Sequence, residues 1–130
     1  MRAGARGVAG VAGGVLLALG VFGLVPSLTT HYGNLAWGRG SGAELIGIFR
    51  VSVVLDLIHV ALGLGVLAIA RTHVRAVFAL AGAGIACLAL ELIGAAKDGT
   101  WLALNAADDW LHLVLGVVLL AVAYWTAAPE

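Results

Sequence analysis

Four long apolar stretches organise the chain, separated by short polar ones. A bilayer core needs about 20 apolar residues per helix. Windows at residues 8–28, 45–70, 74–96 and 108–127 meet that length. The pattern predicts four transmembrane helices in one domain covering residues 1–130. The first stretch follows Arg2 and Arg6 and resembles a secretory leader, but it exceeds the roughly 7–15 residues of a signal core and lacks a small-x-small site near Pro26. It reads as a retained helix. Ser41-Gly-Ala-Glu44 has capping-box spacing and predicts that the second helix starts just after Ser41. Running to Arg71, that helix would be about 45 Å long, longer than a core of about 30 Å. The connection Arg71–Arg75 is short and predicts an antiparallel turn between spans two and three. Gly99 and Asn105 break the chain before span four, with Asp108 or Asp109 as its cap.

Composition strengthens this picture. Hydrophobic residues make up 62% and charged residues 11%, against about 45–50% and 25% in soluble domains. That excess apolar surface suits lipid and excludes a disordered chain. Seven basic and seven acidic residues balance, which leaves no basic patch for nucleic acid. The single cysteine, Cys87, lies in an apolar run and reads as a small packed side chain. Arg2, Arg6, Arg71 and Arg75 fall on one side of the four spans, Arg39 and Lys97 on the other. The positive-inside rule then places both termini in the cytoplasm of a multi-pass cell-membrane protein. Trp37, Trp101 and Trp110 at one end, and Tyr124 and Trp125 at the other, fit interfacial anchoring.

Spans two and four share a pattern. Asp56-Leu-Ile-His59-Val-Ala-Leu-Gly63 and Asp109-Trp-Leu-His112-Leu-Val-Leu-Gly116 both read Asp-x-x-His-x-x-x-Gly, offset by 53 residues. Residues three, four and seven apart share a helix face, so each span carries an Asp-His-Gly stripe, which Ser52 extends in span two. The spans run in the same direction, and the stripes can face each other about a pseudo-two-fold axis along the membrane normal. The expected architecture is an all-α bundle of two pseudo-repeated antiparallel hairpins. Gly13, Gly20, Gly23, Gly63, Gly82, Gly84 and Gly116 suit close packing of transmembrane helices.

Intramembrane charge is costly, so the polar set is where function would reside. Arg50, Ser52, Asp56, Glu91 and Asp109 form a candidate cluster in the outer half of the bundle, with Arg50 placed to snorkel or to pair with a carboxylate. Three readings stay open. The acids and histidines can fix helix register as a structural or interaction component. His59 and His112 can ligate a haem, or Asp56, His59, Asp109 and His112 a divalent metal; the preferred expectation is no cofactor. The same groups can form a proton or small-ligand pathway. His31 reads as a loop histidine near the cluster, and His73 as part of the Arg71–Arg75 loop. No nucleophile motif or phosphate loop is present, so a non-enzyme is expected. Its expected partners are the lipid bilayer and a homo-oligomer or larger membrane complex.

Asn105-Ala-Ala-Asp108-Asp109-Trp110-Leu111-His112-Leu-Val-Leu-Gly116 resembles the most recognisable motif of a bacterial, mainly actinobacterial, membrane family, domain of unknown function 4383. Leu45-Ile-Gly47-Ile-Phe49-Arg50-Val-Ser52, with His59 and Gly63, resembles its second motif, and Gly23-Leu-Val-Pro26 its first helix. The resemblance implies a four-helix membrane protein and brings no activity. Asp109 stands where the family often has Asn, and Asp56 where a His-Asn pair is common, which weakens any role requiring those groups.

Overall fold

The computed structural model describes residues 4–96 and 100–128. Among them are four helices: α1 (Ala5–Gly23), α2 (Val53–Ile69), α3 (His73–Ala95) and α4 (Ala106–Ala127). Three of these, α1, α3 and α4, are long and apolar enough to cross a membrane. The fourth, α2, is apolar but has 17 residues, about 26 Å. Side chains such as Val11, Phe78, Leu92 and Val117 point outward from the bundle. An apolar exterior of this kind is what lipid solvates.

Helix α2 starts eleven residues later than its expected position just after Ser41. The intervening chain forms a small antiparallel sheet in the order β1 (Thr29–Thr30), β2 (Glu44–Leu45), β3 (Phe49–Arg50). Glu44 pairs with Thr30 on one side and Arg50 on the other. The reason is local. Gly40 and Gly47 adopt left-handed φ values of 82° and 71°, and Ile46 one of 47°, which no α-helix accommodates. The segment Ile46-Gly-Ile-Phe-Arg-Val51 also favours strand through its β-branched and aromatic residues. Ser41 caps nothing; its hydroxyl donates to Val51 O at 2.6 Å and accepts from Ala36 N at 3.2 Å, which holds the loop together. The sheet is thus an addition to the all-α expectation.

The first helix likewise ends at Gly23 rather than Leu28. Thr29 Oγ1 donates to Phe22 O and Gly23 O, closing the last carbonyls of α1. At α4 the cap is Asn105, not Asp108 or Asp109. Asn105 Oδ1 accepts from Asp108 N at 3.0 Å, and Asp108 Oδ2 accepts from Asn105 N at 2.9 Å. This is a reciprocal capping box. Arg2, Lys97 and Gly99, used in the sequence reading, lie outside the described residues.

Helices α1 and α2 form one tightly packed pair, and α3 and α4 a second. Glycine sets both crossings. A Cβ on Gly63 would meet Leu17 N at 2.5 Å and Gly13 O at 2.7 Å. A Cβ on Gly116 would meet Leu88 Cγ at 2.6 Å and Gly84 O at 3.1 Å. Without side chains there, the backbones come into contact. Between the pairs runs a core of small side chains with a few large ones, including Ala9, Leu16, Leu80, Ala83, Cys87 and Leu119. The loop ends of α1, α2, α3 and α4 nearest the sheet gather at one end of the bundle. Arg71 and Arg75 lie at the opposite end, at the exposed turn from α2 to α3.

Candidate functional site

Ser52 begins the site. Its Oγ accepts from Leu55 N at 3.2 Å, which caps α2, and donates to Leu102 O at 2.9 Å in the loop before α4. The residue is fully buried. Asn105 makes the reverse tie, with Nδ2 donating to Ile48 O at 3.0 Å. Each hairpin therefore fixes the start of the other's inner helix.

With both helix starts fixed, the histidines of the two stripes converge, while the aspartates and glycines pack on α1 and α3 rather than on each other as expected. His59 is 5% exposed and His112 is fully buried. Their Nε2 atoms are 3.0 Å apart and their rings stack at 20° with centroids 5.2 Å apart. This is a hydrogen bond in which one Nε2–H donates and the other Nε2 accepts. It joins the two hairpins across 53 residues of sequence.

The carboxylates turn away from that centre. Asp56 is fully buried, and a Cβ at Gly23 of α1 would fall on its carboxyl group. Neither of its oxygens has a hydrogen-bond partner. Asp109 lies against Gly94 of α3 in the same way, with Oδ1 unpartnered, and Glu91 acts on it electrostatically. The two acids of the repeated pattern thus face outward to α1 and α3, while the two histidines face inward to each other.

Asp108 is the residue that the sequence reading placed only as a cap. It is 2% exposed and acts electrostatically on Asp56, with Arg50 and Asp109 among its own charged neighbours. Its position four residues before His112 puts it on the histidine's face, a signal available in the sequence. Arg50 reaches a carboxylate, as expected, at a separation of 4.0 Å from Glu44. Its Nε is buried without a partner. Gly20 carries the close pass of α1 over the Asp56 and Val60 backbone. Gly94 was not singled out in the sequence, although Gly23 and Gly94 are separated by 71 residues, as Gly13 and Gly84 are.

Other candidates fall outside. His31 is exposed, with a left-handed φ of 52° in the loop, and His73 is exposed at the start of α3. Gly82 has open space around it. The metal set Asp56, His59, Asp109 and His112 is not assembled. Among the described residues no three His, Cys, Asp or Glu side chains are placed to hold an ion. Axial ligation of a haem by both histidines does not fit either. Metal–nitrogen bonds of about 2.0–2.1 Å on opposite faces need nitrogens about 4 Å apart, and these are 3.0 Å apart.

The sequence profile of the family described as Domain of unknown function (DUF4383) matches residues 6–125. The chain belongs to this family. The match covers α2, α3, the sheet, the buried polar residues and all but the outermost residues of α1 and α4, so in this DUF4383 protein the site lies within the family domain. No curated protein and no solved structure matches the chain.

Proposed function

We propose that this DUF4383 protein is a non-catalytic, four-span component of the cell membrane, with both termini in the cytoplasm, whose polar residues clasp two related helical hairpins. It works through association with a further copy or with a larger membrane complex. The observation that carries the clasp is the 3.0 Å contact between His59 and His112. The two Nε2 atoms are used on each other, while His112 Nδ1 is buried without a partner. The ties from Ser52 to Leu102 and from Asn105 to Ile48 point the same way, since both join one hairpin to the other.

Relatedness of the hairpins is supported by matching environments. Gly63 packs on Gly13 and Gly116 on Gly84, while Asp56 packs on Gly23 and Asp109 on Gly94. Offsets of 53 residues in the inner helices and 71 in the outer ones account for all four pairs. The cytoplasmic placement of the termini rests on the distribution of arginines. The four-span reading rests on the apolar character of α2 together with the flanking sheet, which adds length at its N-terminal end.

A double-mutant cycle tests the clasp. His59→Ala, His112→Ala and the double variant are unfolded reversibly in mixed micelles. Interhelical hydrogen bonds in membranes contribute about 0.6 kcal/mol on average and up to about 1.7, so a coupling energy in that range is expected. Additivity within about 0.3 kcal/mol would remove the clasp.

A further inference from the structure

Asp56 is the acid of the buried centre with neither carboxyl oxygen partnered. It is fully buried. Helix α1 presents Gly23 to the carboxyl group. On its own helix the nearest ionisable group is His59, whose Nε2 is occupied by His112. Helix α4 brings Asp108, a second acid, and His112. Helix α3 carries Glu91, which acts on Asp109. The sheet carries Arg50, which is engaged toward Glu44 and Asp108. No cation therefore contacts Asp56 among the described residues. The N-terminus of α2 favours negative charge, but that effect is small beside the cost of burying an unpaired carboxylate. The carboxyl group calls for a positively charged occupant, and it lies so close to α1 that a Cβ at Gly23 would fall on it.

The distribution of ionisable groups shows from which side that occupant comes. No ionisable side chain lies between His59 and Arg71 in α2, or between His112 and Tyr124 in α4. In α1 none lies between Arg6 and His31, and in α3 only Cys87 lies between Arg75 and Glu91. The sheet end, by contrast, carries Glu44 and Arg50, 4.0 Å apart, and the buried Asp108, which acts electrostatically on Asp56.

We propose that Asp56 is a proton-binding site that takes up and releases one proton from the sheet side of the membrane only. The proton adds to a carboxyl oxygen and neutralises the group in place. The site deepens the clasp reading, because it occupies the same buried centre, and it makes the protein responsive to acidity on one face of the bilayer without conducting protons across it.

Infrared spectra of the full chain in lipid nanodiscs test this directly, with isotope-labelled histidine in the same samples for nitrogen NMR. The expected result is a protonated-carboxyl C=O band at neutral pH that is lost in Asp56→Asn and kept in Asp109→Asn. Asparagine is isosteric with the protonated acid, so that variant retains the packing. Absence of the band from the wild-type protein overturns the proposal. So does a carboxylate stretch that moves on exchange of sodium for potassium, because the occupant is then an alkali ion. A band that persists while the coupling between the histidine Nε2 atoms is missing supports the proton site and counts against the clasp. In proteoliposomes the proton flux should equal that of empty vesicles. A flux that disappears with Asp56→Asn overturns the one-sided character of the site.

Discussion

Replacing Gly63 and Gly116 by alanine sets two matched positions against each other. Both glycines occupy the same place in the Asp-x-x-His-x-x-x-Gly pattern, and both sit at a helix crossing. What an added methyl meets is different. At Gly63 the three nearest atoms are backbone: Leu17 N at 2.5 Å, Gly13 O at 2.7 Å and Leu17 Cα at 2.8 Å. Backbone cannot rotate aside, so α1 and α2 must separate. At Gly116 the nearest atoms are Leu88 Cδ2 and Cγ, both at 2.6 Å, and a leucine side chain can change rotamer. Overpacking costs about 1–3 kcal/mol and occasionally more, whereas alanine gains about 1 kcal/mol over glycine in a helix interior. Gly63→Ala belongs at the top of the overpacking range, for a net loss of about 2 kcal/mol or more. Gly116→Ala belongs near the bottom, for a net change of about 0–1 kcal/mol. Gly65→Ala and Gly82→Ala are controls, since neither added methyl meets an atom within 4 Å. They should be neutral or stabilising by up to about 1 kcal/mol. The assay is reversible unfolding in mixed micelles, with helicity followed by circular dichroism. Equal effects at Gly63 and Gly65 would refute the assignment of Gly63 to a backbone-to-backbone crossing.

Two further substitutions probe the sheet end by the same unfolding assay. Ser52→Ala removes the α2 cap, worth about 1 kcal/mol, and leaves Leu102 O without its donor at about 1–3 kcal/mol; a loss of about 2–4 kcal/mol is expected, and a loss below about 0.5 kcal/mol would contradict the tie. Ile46→Asn should stabilise by about 1 kcal/mol, because a β-branched residue with a left-handed φ of 47° is strained and asparagine tolerates that region; a destabilised variant would mean that the isoleucine side chain contributes more than its backbone costs.

The histidine pair was legible because helical periodicity fixes which residues share a face, whereas the aspartates and glycines of the same stripes turned out to pack on α1 and α3. Three-residue spacing placed His59 with Asp56 and His112 with Asp109, and the shared direction of the two helices allowed the histidines to meet. The sheet was hidden because its strands have two residues each, too few for alternation to register. The same stretch offered Ser41 and Glu44 at capping-box spacing, and the left-handed backbone at Ile46 and Gly47 overrode it. Asp108 was missed as a member of the centre because the repeat singled out its neighbour Asp109. Gly94 was missed because its meaning lies in what packs on it, the Asp109 side chain, and one helix read alone does not carry that information.

The long separation between the partners in the polar centre has a consequence for biogenesis. Ser52 finds Leu102, and His59 finds His112, 50 and 53 residues further along the chain. During synthesis α1 and α2 emerge well before those residues exist, and an N-terminal unit folds first. The early hairpin can pack Gly63 on Gly13, but it must wait with Ser52 short of an acceptor and His59 short of a partner. Completion of α4 removes both deficits together. A chain truncated before His112 would therefore carry exposed polar groups within the membrane, a mark by which a quality-control protease could tell an unfinished chain from a finished one.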